Sequence, residues 1–251
     1  MADISNAWDE ARNVIKELDI KRLPINPFEV ASNLNIILEP YSIFECYTPN
    51  IIKKLRDKKC EAITSKDIGT GEYHVLFDDV SIRADRLNFT IAHEIGHIRL
   101  GHCEKFYNNY TCLEDFIHKN YSEEKDADNF AAELLRSPFL LILIGAKNFY
   151  DIQDICDVSY KASLVGERQI RTILPAYNIP RYVSVFKFYI DQFSDFIHER
   201  YCENCGYKFI GKTIKTCIMC GSESIPYHIN KGYIQTLEYH KRTTMVNTKT
   251  S

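Results

Sequence analysis

Two histidines four residues apart, with a glutamate between them, are the residues of this chain best suited to chemistry. They are His93 and His97, and Glu94 completes the pattern H-E-x-x-H. On a helix this spacing turns both imidazoles to one face, where they can hold a single zinc ion. Glu94 then lies beside the metal and can take a proton from a metal-activated water. The pattern therefore predicts a hydrolytic zinc centre.

The sequence around this pattern predicts a helix. The segment from Tyr73 to Phe77 is rich in strand formers and is closed by the turn-prone pair Asp78-Asp79, so a strand precedes the helix. Gly101 is placed to end it. Apolar residues also recur at helical spacing, so that the same helix has a core face: Phe89, Ala92, Ile95 and Ile98.

A catalytic zinc site needs a third protein ligand. One solution is a histidine six residues after His97, but that position is Cys103, and the glycine that accompanies such a histidine is also absent. The other solution is a glutamate on a later helix, and we expect this ligand to be Glu124. The near alternatives are Glu123 and Asp126.

The segment from Tyr121 to Leu135 is predicted to form the helix that carries this glutamate, with Ser122 as its N-cap. Asp128 lies one turn from Glu124 on the same face. We expect Asp128 to accept a hydrogen bond from the second ring nitrogen of a ligand histidine and so to orient it. The expected buried side consists of Ala127, Phe130, Ala131, Leu134 and Leu135.

Taken together, these segments resemble the ImmA/IrrE family of zinc metallopeptidases. The resemblance covers residues up to about 180 and is weaker after the second metal-site helix. It rests on Arg86–Ala92, His93–His97, Leu100–His102, Glu124–Leu135 and Ser137-Pro138, and more loosely on Val158–Ser163 with Arg168 and Arg171.

The resemblance implies a cytoplasmic endopeptidase that cuts a DNA-binding repressor, often one encoded beside it on a phage or another mobile element. It also implies that His102 lies near the site, although a histidine at a helix end that is favoured by the helix dipole is the simpler explanation. The rival hypothesis is a non-catalytic zinc-binding regulator or sensor that acts through protein or DNA binding.

Four of the nine cysteines form a second metal-binding pattern. Two C-x-x-C pairs are separated by eleven residues, and a glycine follows each pair. Such pairs bring four thiolates to the corners of a tetrahedron, which predicts a structural zinc with no open position and a small ribbon that folds around the metal. The predicted ligands are Cys202, Cys205, Cys217 and Cys220, whereas Cys46, Cys60, Cys103, Cys112 and Cys156 are expected to be reduced thiols.

Composition and charge limit the partners of the chain. A net charge of −3 argues against strongly electrostatic nucleic-acid binding. The ribbon carries Lys208, Lys212 and Lys215, which permits contact with nucleic acid, but an ordinary solvated surface is favoured. No apolar run approaches membrane-spanning length, and the chain starts without the pattern of a secretion signal. We therefore expect a cytoplasmic protein with a protein substrate and no membrane partner.

The predicted fold class is α+β, with a mainly helical, zincin-like metalloprotease core, a small β-sheet and a small C-terminal zinc ribbon. The core is expected at residues 1–180, with a helical lead-in at about 1–35. A connecting segment at 181–198, the ribbon at 199–240 and a polar tail at 241–251 follow. The lead-in is predicted to contain a helix from Asn6 to Leu18, a short helix from Asn26-Pro27 to Leu34 and a strand that starts at Ile36.

Overall fold

The computed structural model of the protein describes residues 4–67, 69–105, 121–230, 234–235 and 238. The predicted polar tail and Cys112 lie outside these residues. Within them the chain is a mixed α+β protein that is mostly helical, which confirms the predicted class at this coarse level. The chain divides into two compact units, one of Met1–Ile20 with Pro24–Ser137 and one of Lys21–Leu23 with Pro138–Ser251.

The first unit combines six helices and three strands in its described part. The helices are α1 (Ile4–Glu17), α2 (Pro27–Asn33), α3 (Tyr41–Phe44), α4 (Pro49–Asp57), α5 (Ala84–Arg99) and α6 (Tyr121–Arg136), and a 3-10 turn follows α5 at His102–Lys105. The strands are β1 (Ile36–Pro40), β2 (Ala62–Lys66) and β3 (Tyr73–Phe77).

The sheet of the first unit is built on β3, which pairs in parallel with β1 and antiparallel with β2. Alternate residues of β3 point into the core, so Val75 and Phe77 are buried. The short helix α2 starts as its sequence predicts: Asn26 accepts a hydrogen bond from the N–H of Phe28, and Pro27 occupies the first turn.

Helix α5 packs closely on α6, and α1 packs on α6 as well. A glycine permits the α5–α6 approach, because a Cβ atom at Gly96 would lie 3.0 Å from Cδ1 of Phe130 and 3.2 Å from Cα of Ala127. A buried ion pair joins α1 to α6, with Arg12 Nη1 2.9 Å from Glu133 Oε1. The helix that carries the histidines is thus held tightly against the helix that carries Glu124.

The second unit contains five helices and a small antiparallel sheet in its described part. The helices are α7 (Pro138–Ile144), α8 (Phe149–Cys156), α9 (Tyr160–Ile173), α10 (Pro180–Gln192) and α11 (Ser194–Ile197), with 3-10 turns at Leu174–Ala176 and His228–Asn230. The strands are β4 (Glu199–Tyr201), β5 (Lys208–Ile210) and β6 (Ile225–Pro226), and β4 lies between the other two.

One local prediction differs from the structure. Ser122 lies inside α6, which begins at Tyr121, so it does not occupy the N-cap position. The predicted connecting segment at 181–198 is mostly helical, since α10 and α11 run through it. The two compact units divide the chain mainly between Ser137 and Pro138, whereas the predicted domain boundaries are at 180 and 198. The predicted boundaries concern domains that fold separately, and they remain predictions. Among the described residues, no helix combines the length and the apolar character needed to cross a membrane.

Candidate metal centres

The first centre is formed by α5 and the first turn of α6. His93 and His97 lie one turn apart on α5, and their Nε2 atoms are 3.0 Å from each other. The Glu124 carboxylate on α6 reaches both rings, with Oε1 3.4 Å from His97 Nε2 and Oε2 3.6 Å from His93 Nε2. The three side chains are between 13% and 26% exposed, so the cluster is shielded but open to solvent.

These separations fit a metal ion. A tetrahedral zinc with ligand bonds of 2.0–2.1 Å holds its ligand atoms about 3.3–3.4 Å apart, and the three observed distances bracket that value. Imidazole and carboxylate donors suit zinc and also other transition metals. Three protein ligands leave one coordination position for a water molecule or a substrate. Within the described residues, the ligand cluster includes neither Glu123 nor Asp126, the two alternatives to Glu124.

Each histidine of this centre has a partner at its second ring nitrogen. Asp128 Oδ1 lies 2.9 Å from His93 Nδ1, and His102 Nδ1 lies 3.0 Å from His97 Nδ1. A hydrogen at Nδ1 leaves the Nε2 lone pair free for a metal, so these contacts orient the rings toward the cluster. From the sequence, His102 could lie near the site or simply mark the helix end. In the structure its ring contacts the ring of His97.

The charge state of His93 depends on its surroundings. Burial disfavours protonation of this ring, but the hydrogen bond to Asp128 and the nearby carboxylates of Glu124 and Glu94 outweigh burial and raise the pKa of His93 to about 9. The surrounding carboxylates thus favour the protonated form of this ring. Because an imidazole binds a metal only in its neutral form, metal binding must displace this proton.

Glu94, between the two histidines of the H-E-x-x-H pattern, does not join the ligand cluster. Its carboxylate is half-buried, and Oε2 accepts a hydrogen bond of 2.5 Å from Oγ1 of Thr64 on β2. Sequence reasoning missed Thr64, because it lies 30 residues before Glu94 on another element. No local pattern indicates the contact, because it depends on the pairing of β2 with β3.

The second centre lies in the second unit, at the ends of two similar turns. Cys202 Sγ is 3.5 Å from Cys220 Sγ, and Cys205 Sγ is 3.6 Å from Cys217 Sγ. All four sulfur atoms lie within 4.8 Å of one another. A tetrahedral zinc with Zn–S bonds of about 2.3 Å requires sulfur separations of about 3.8 Å, so this cluster also fits a metal.

Local backbone geometry builds each half of the second centre. Gly206 and Gly221 follow the two cysteine pairs in the left-handed conformation, at φ +75° and +73°. The N–H of Gly206 donates to the carbonyl of Cys202 at 2.8 Å, and that of Gly221 donates to Cys217 at 2.9 Å. Glycine adopts this conformation without steric cost. The two turns are therefore nearly equivalent knuckles, and each presents two thiols.

Comparison with known proteins gives no family for the chain: no protein-family model matches it, and no curated protein matches it in sequence.

Proposed function

We propose that the protein is a zinc-dependent endopeptidase that hydrolyses a peptide bond in a regulator protein. The observation that carries the proposal is the meeting of His93, His97 and Glu124 at metal-ligand distances, with Glu94 next to the first histidine on the same helix. This arrangement supports a zincin-like core in the first unit, and the sequence of α5 and α6 supports membership of the ImmA/IrrE family.

In the proposed hydrolysis, the residues of the first centre have different roles. A bound zinc supplies Lewis acidity, which activates water and polarises the carbonyl of the scissile bond. His93 and His97 would hold the metal through Nε2 as neutral donors, with Asp128 and His102 engaged at their Nδ1 atoms. Glu94 accepts a proton from the attacking water and returns it to the nitrogen of the leaving amine as the C–N bond breaks. The products are a carboxylate and an amine.

The second centre supports a structural role. Four thiolates leave no coordination position for a substrate, so a zinc there would hold the ribbon together without taking part in hydrolysis. Each sheet strand of the ribbon has at most three residues, which gives the segment little core of its own. A metal at the knuckles would supply the missing stability.

The proposed substrate is a helix-turn-helix repressor of a phage or another mobile element, and this choice rests on the resemblance to the ImmA/IrrE family. The alternative is a regulator or sensor that binds its partner without cutting it. The site chemistry favours hydrolysis over binding alone, because a glutamate beside an open metal position has no use in a purely structural centre.

Co-expression with the repressor-like protein encoded nearest to this chain tests the proposal. The wild type should cut that protein, and Glu94→Gln should lose about 10²–10⁴-fold of the activity because the base is removed while the metal ligands remain. Mass analysis of both proteins gives the cleavage site, and metal analysis shows that the ligands still bind. Glu123→Gln is the matched control, since it changes a glutamate of α6 outside the ligand cluster and should cleave normally.

Two outcomes would count against the proposal. If Glu94→Gln cleaved as fast as the wild type, Glu94 would not be the base. If neither protein cleaved, but both bound metal and held the repressor intact, the chain would act as a binding regulator.

A further inference from the structure

We propose that Thr64 is a positioning residue that fixes the catalytic carboxylate of Glu94 in its working orientation. The inference rests on the proposed function, in which Glu94 is the base. It also assigns a task to β2, which supplies no metal ligand.

The contact between these two residues is direct. Thr64 Oγ1 donates to Glu94 Oε2 at 2.5 Å, and both side chains are half-buried. The backbone of β2 is held in place by β3, where the pairing partner of Thr64 is the fully buried Val75. Because threonine is branched at Cβ, its side chain has few rotamers. The hydroxyl is therefore presented to Glu94 from a fixed point of the sheet.

A second set of hydrogen bonds connects the start of β2 to α5, one helical turn before Glu94. Glu61, directly before β2, accepts hydrogen bonds from Arg86 Nε at 2.9 Å and from Thr90 Oγ1 at 3.0 Å. Arg86, Thr90 and Glu94 follow each other at four-residue intervals on one face of α5. These hydrogen bonds keep β2 aligned with α5, so the Thr64 hydroxyl can contact Glu94 without a shift of either backbone.

Occupation of one carboxylate oxygen has a consequence for the reaction. With Oε2 engaged by Thr64, Oε1 is the oxygen left to accept the proton of the attacking water. A glutamate side chain otherwise samples many rotamers, and a base that must first find its orientation is slower. Thr64 touches the base and not the substrate, so loss of its hydroxyl should lower kcat and leave KM nearly unchanged.

Three variants test this role by peptide cleavage. Thr64→Val keeps the shape but removes the hydroxyl, and we expect kcat to fall about tenfold with KM within about twofold of the wild type. Thr64→Ser restores a hydroxyl and should recover most of the loss. Ser65→Ala is the matched control, because it removes a hydroxyl from the next residue of β2, whose side chain points to the opposite face of the strand, and it should leave kcat unchanged. All three should keep the metal content of the wild type.

A thermal double-mutant cycle tests the contact independently of activity. Thr64→Val, Glu94→Ala and the double variant should give non-additive shifts of Tm, because either change alone removes the same hydrogen bond. Additive shifts would overturn the inference. So would a wild-type rate in Thr64→Val, or a failure of Thr64→Ser to recover the rate. A wild type that cleaves nothing would instead overturn the proposed function.

Discussion

The two clusters of potential metal ligands both have their donor atoms within 4.8 Å of one another, but they differ in the coordination positions that they would leave open. The donor atoms lie 3.0–3.6 Å apart in the histidine–glutamate cluster, and the sulfur atoms lie 3.5 Å apart in the pair Cys202–Cys220 and 3.6 Å apart in the pair Cys205–Cys217. The first cluster offers three donors and the second offers four. Closeness alone therefore does not separate a catalytic centre from a structural one. The number and type of donors separate them, because a fourth thiolate fills the position that a substrate would need.

The clusters also differ in how their donors are held. Within the described residues, each cysteine pair is shaped by its own turn, and Gly206 and Gly221 close the two turns alike. The histidines and Glu124 instead depend on the packing of α5 on α6 and on contacts such as Arg12 with Glu133. The cysteine centre is thus specified locally, whereas the histidine centre depends on the tertiary structure of the first unit.

The largest effect is expected from Cys202→Ser. Loss of one thiolate should abolish metal binding at the second centre and unfold residues near 200–225, since structural zinc contributes about 10–16 kcal/mol in zinc-finger peptides. Hydrogen exchange should show the unfolding, and metal analysis should show the lost ion. Cleavage of a short peptide should persist. If that cleavage vanished too, the two centres would not be separable.

Glu124→Gln should act on the other cluster alone. Replacement of the carboxylate by an amide removes a charged ligand, so metal affinity at the first centre should fall by more than about 100-fold, beyond the loss that a ligand's outer partner causes. The cysteine centre should keep its metal. Competition with a chelator, with Glu123→Gln as the control, measures the change. Equal affinity in both variants would remove Glu124 from the ligand set.

Asp128→Asn and His102→Ala should have smaller effects. Each changes a partner of a ligand histidine, and such changes lower metal affinity about 10–100-fold. Asp128 is 60% exposed, so water can replace it in part, and we expect the smaller loss there. The same chelator competition ranks the two variants. A larger loss of metal affinity for Asp128→Asn would show that the negative charge of Asp128 matters more than its exposure to water.

Gly96→Ala probes the packing that brings the two helices together. The added methyl group would press against Phe130 and Ala127, and overpacking of this kind costs about 1–3 kcal/mol in the free energy of unfolding. Chemical denaturation measures the cost. Truncation of Phe130 to Leu should reduce it, because the clash then disappears in part. A cost that stayed the same in that background would place the strain elsewhere.

The smallest effect is expected at the exposed pair of Lys212 with Asp195, whose charged atoms are 2.7 Å apart. The hydrogen bond and charge of Lys212 lower the pKa of Asp195 below its ordinary value of 3.8. The contribution of the pair to stability is therefore present above that value and is lost as the pH falls through the lowered pKa. Lys212→Ala should leave Tm at pH 7 unchanged within error, because exposed ion pairs contribute little. A clear drop would make the pair part of the ribbon's framework.

Local patterns were readable from the sequence. The strand Tyr73–Phe77 has the bounds that its composition indicates, and α5 ends just before Gly101, which adopts a positive φ. The spacing of His93 and His97 places both rings on one face, because a helix repeats every 3.6 residues. Glu124 could be predicted as a ligand because the apolar residues of its own segment recur at helical spacing.

Long-range partners were not readable in the same way. Thr64 meets Glu94 only because β2 pairs with β3, and no local pattern fixes that pairing. Ser122 failed as a cap because α6 begins at Tyr121, two residues earlier than a cap at Ser122 implies.

The ion pair of Arg12 with Glu133 has a consequence for how the histidine centre is completed. The two residues are 121 positions apart, so the first helix of the chain supports the last helix of its unit. During synthesis α1 must wait for α6 before it can dock, and the ligand set is assembled late. A fragment that began after residue 20 would retain every residue of the histidine centre, yet it would leave Glu133 as a buried charge without Arg12. We expect such a fragment to be poorly folded, so a shortened chain that keeps the histidine centre intact should include the N-terminal helix.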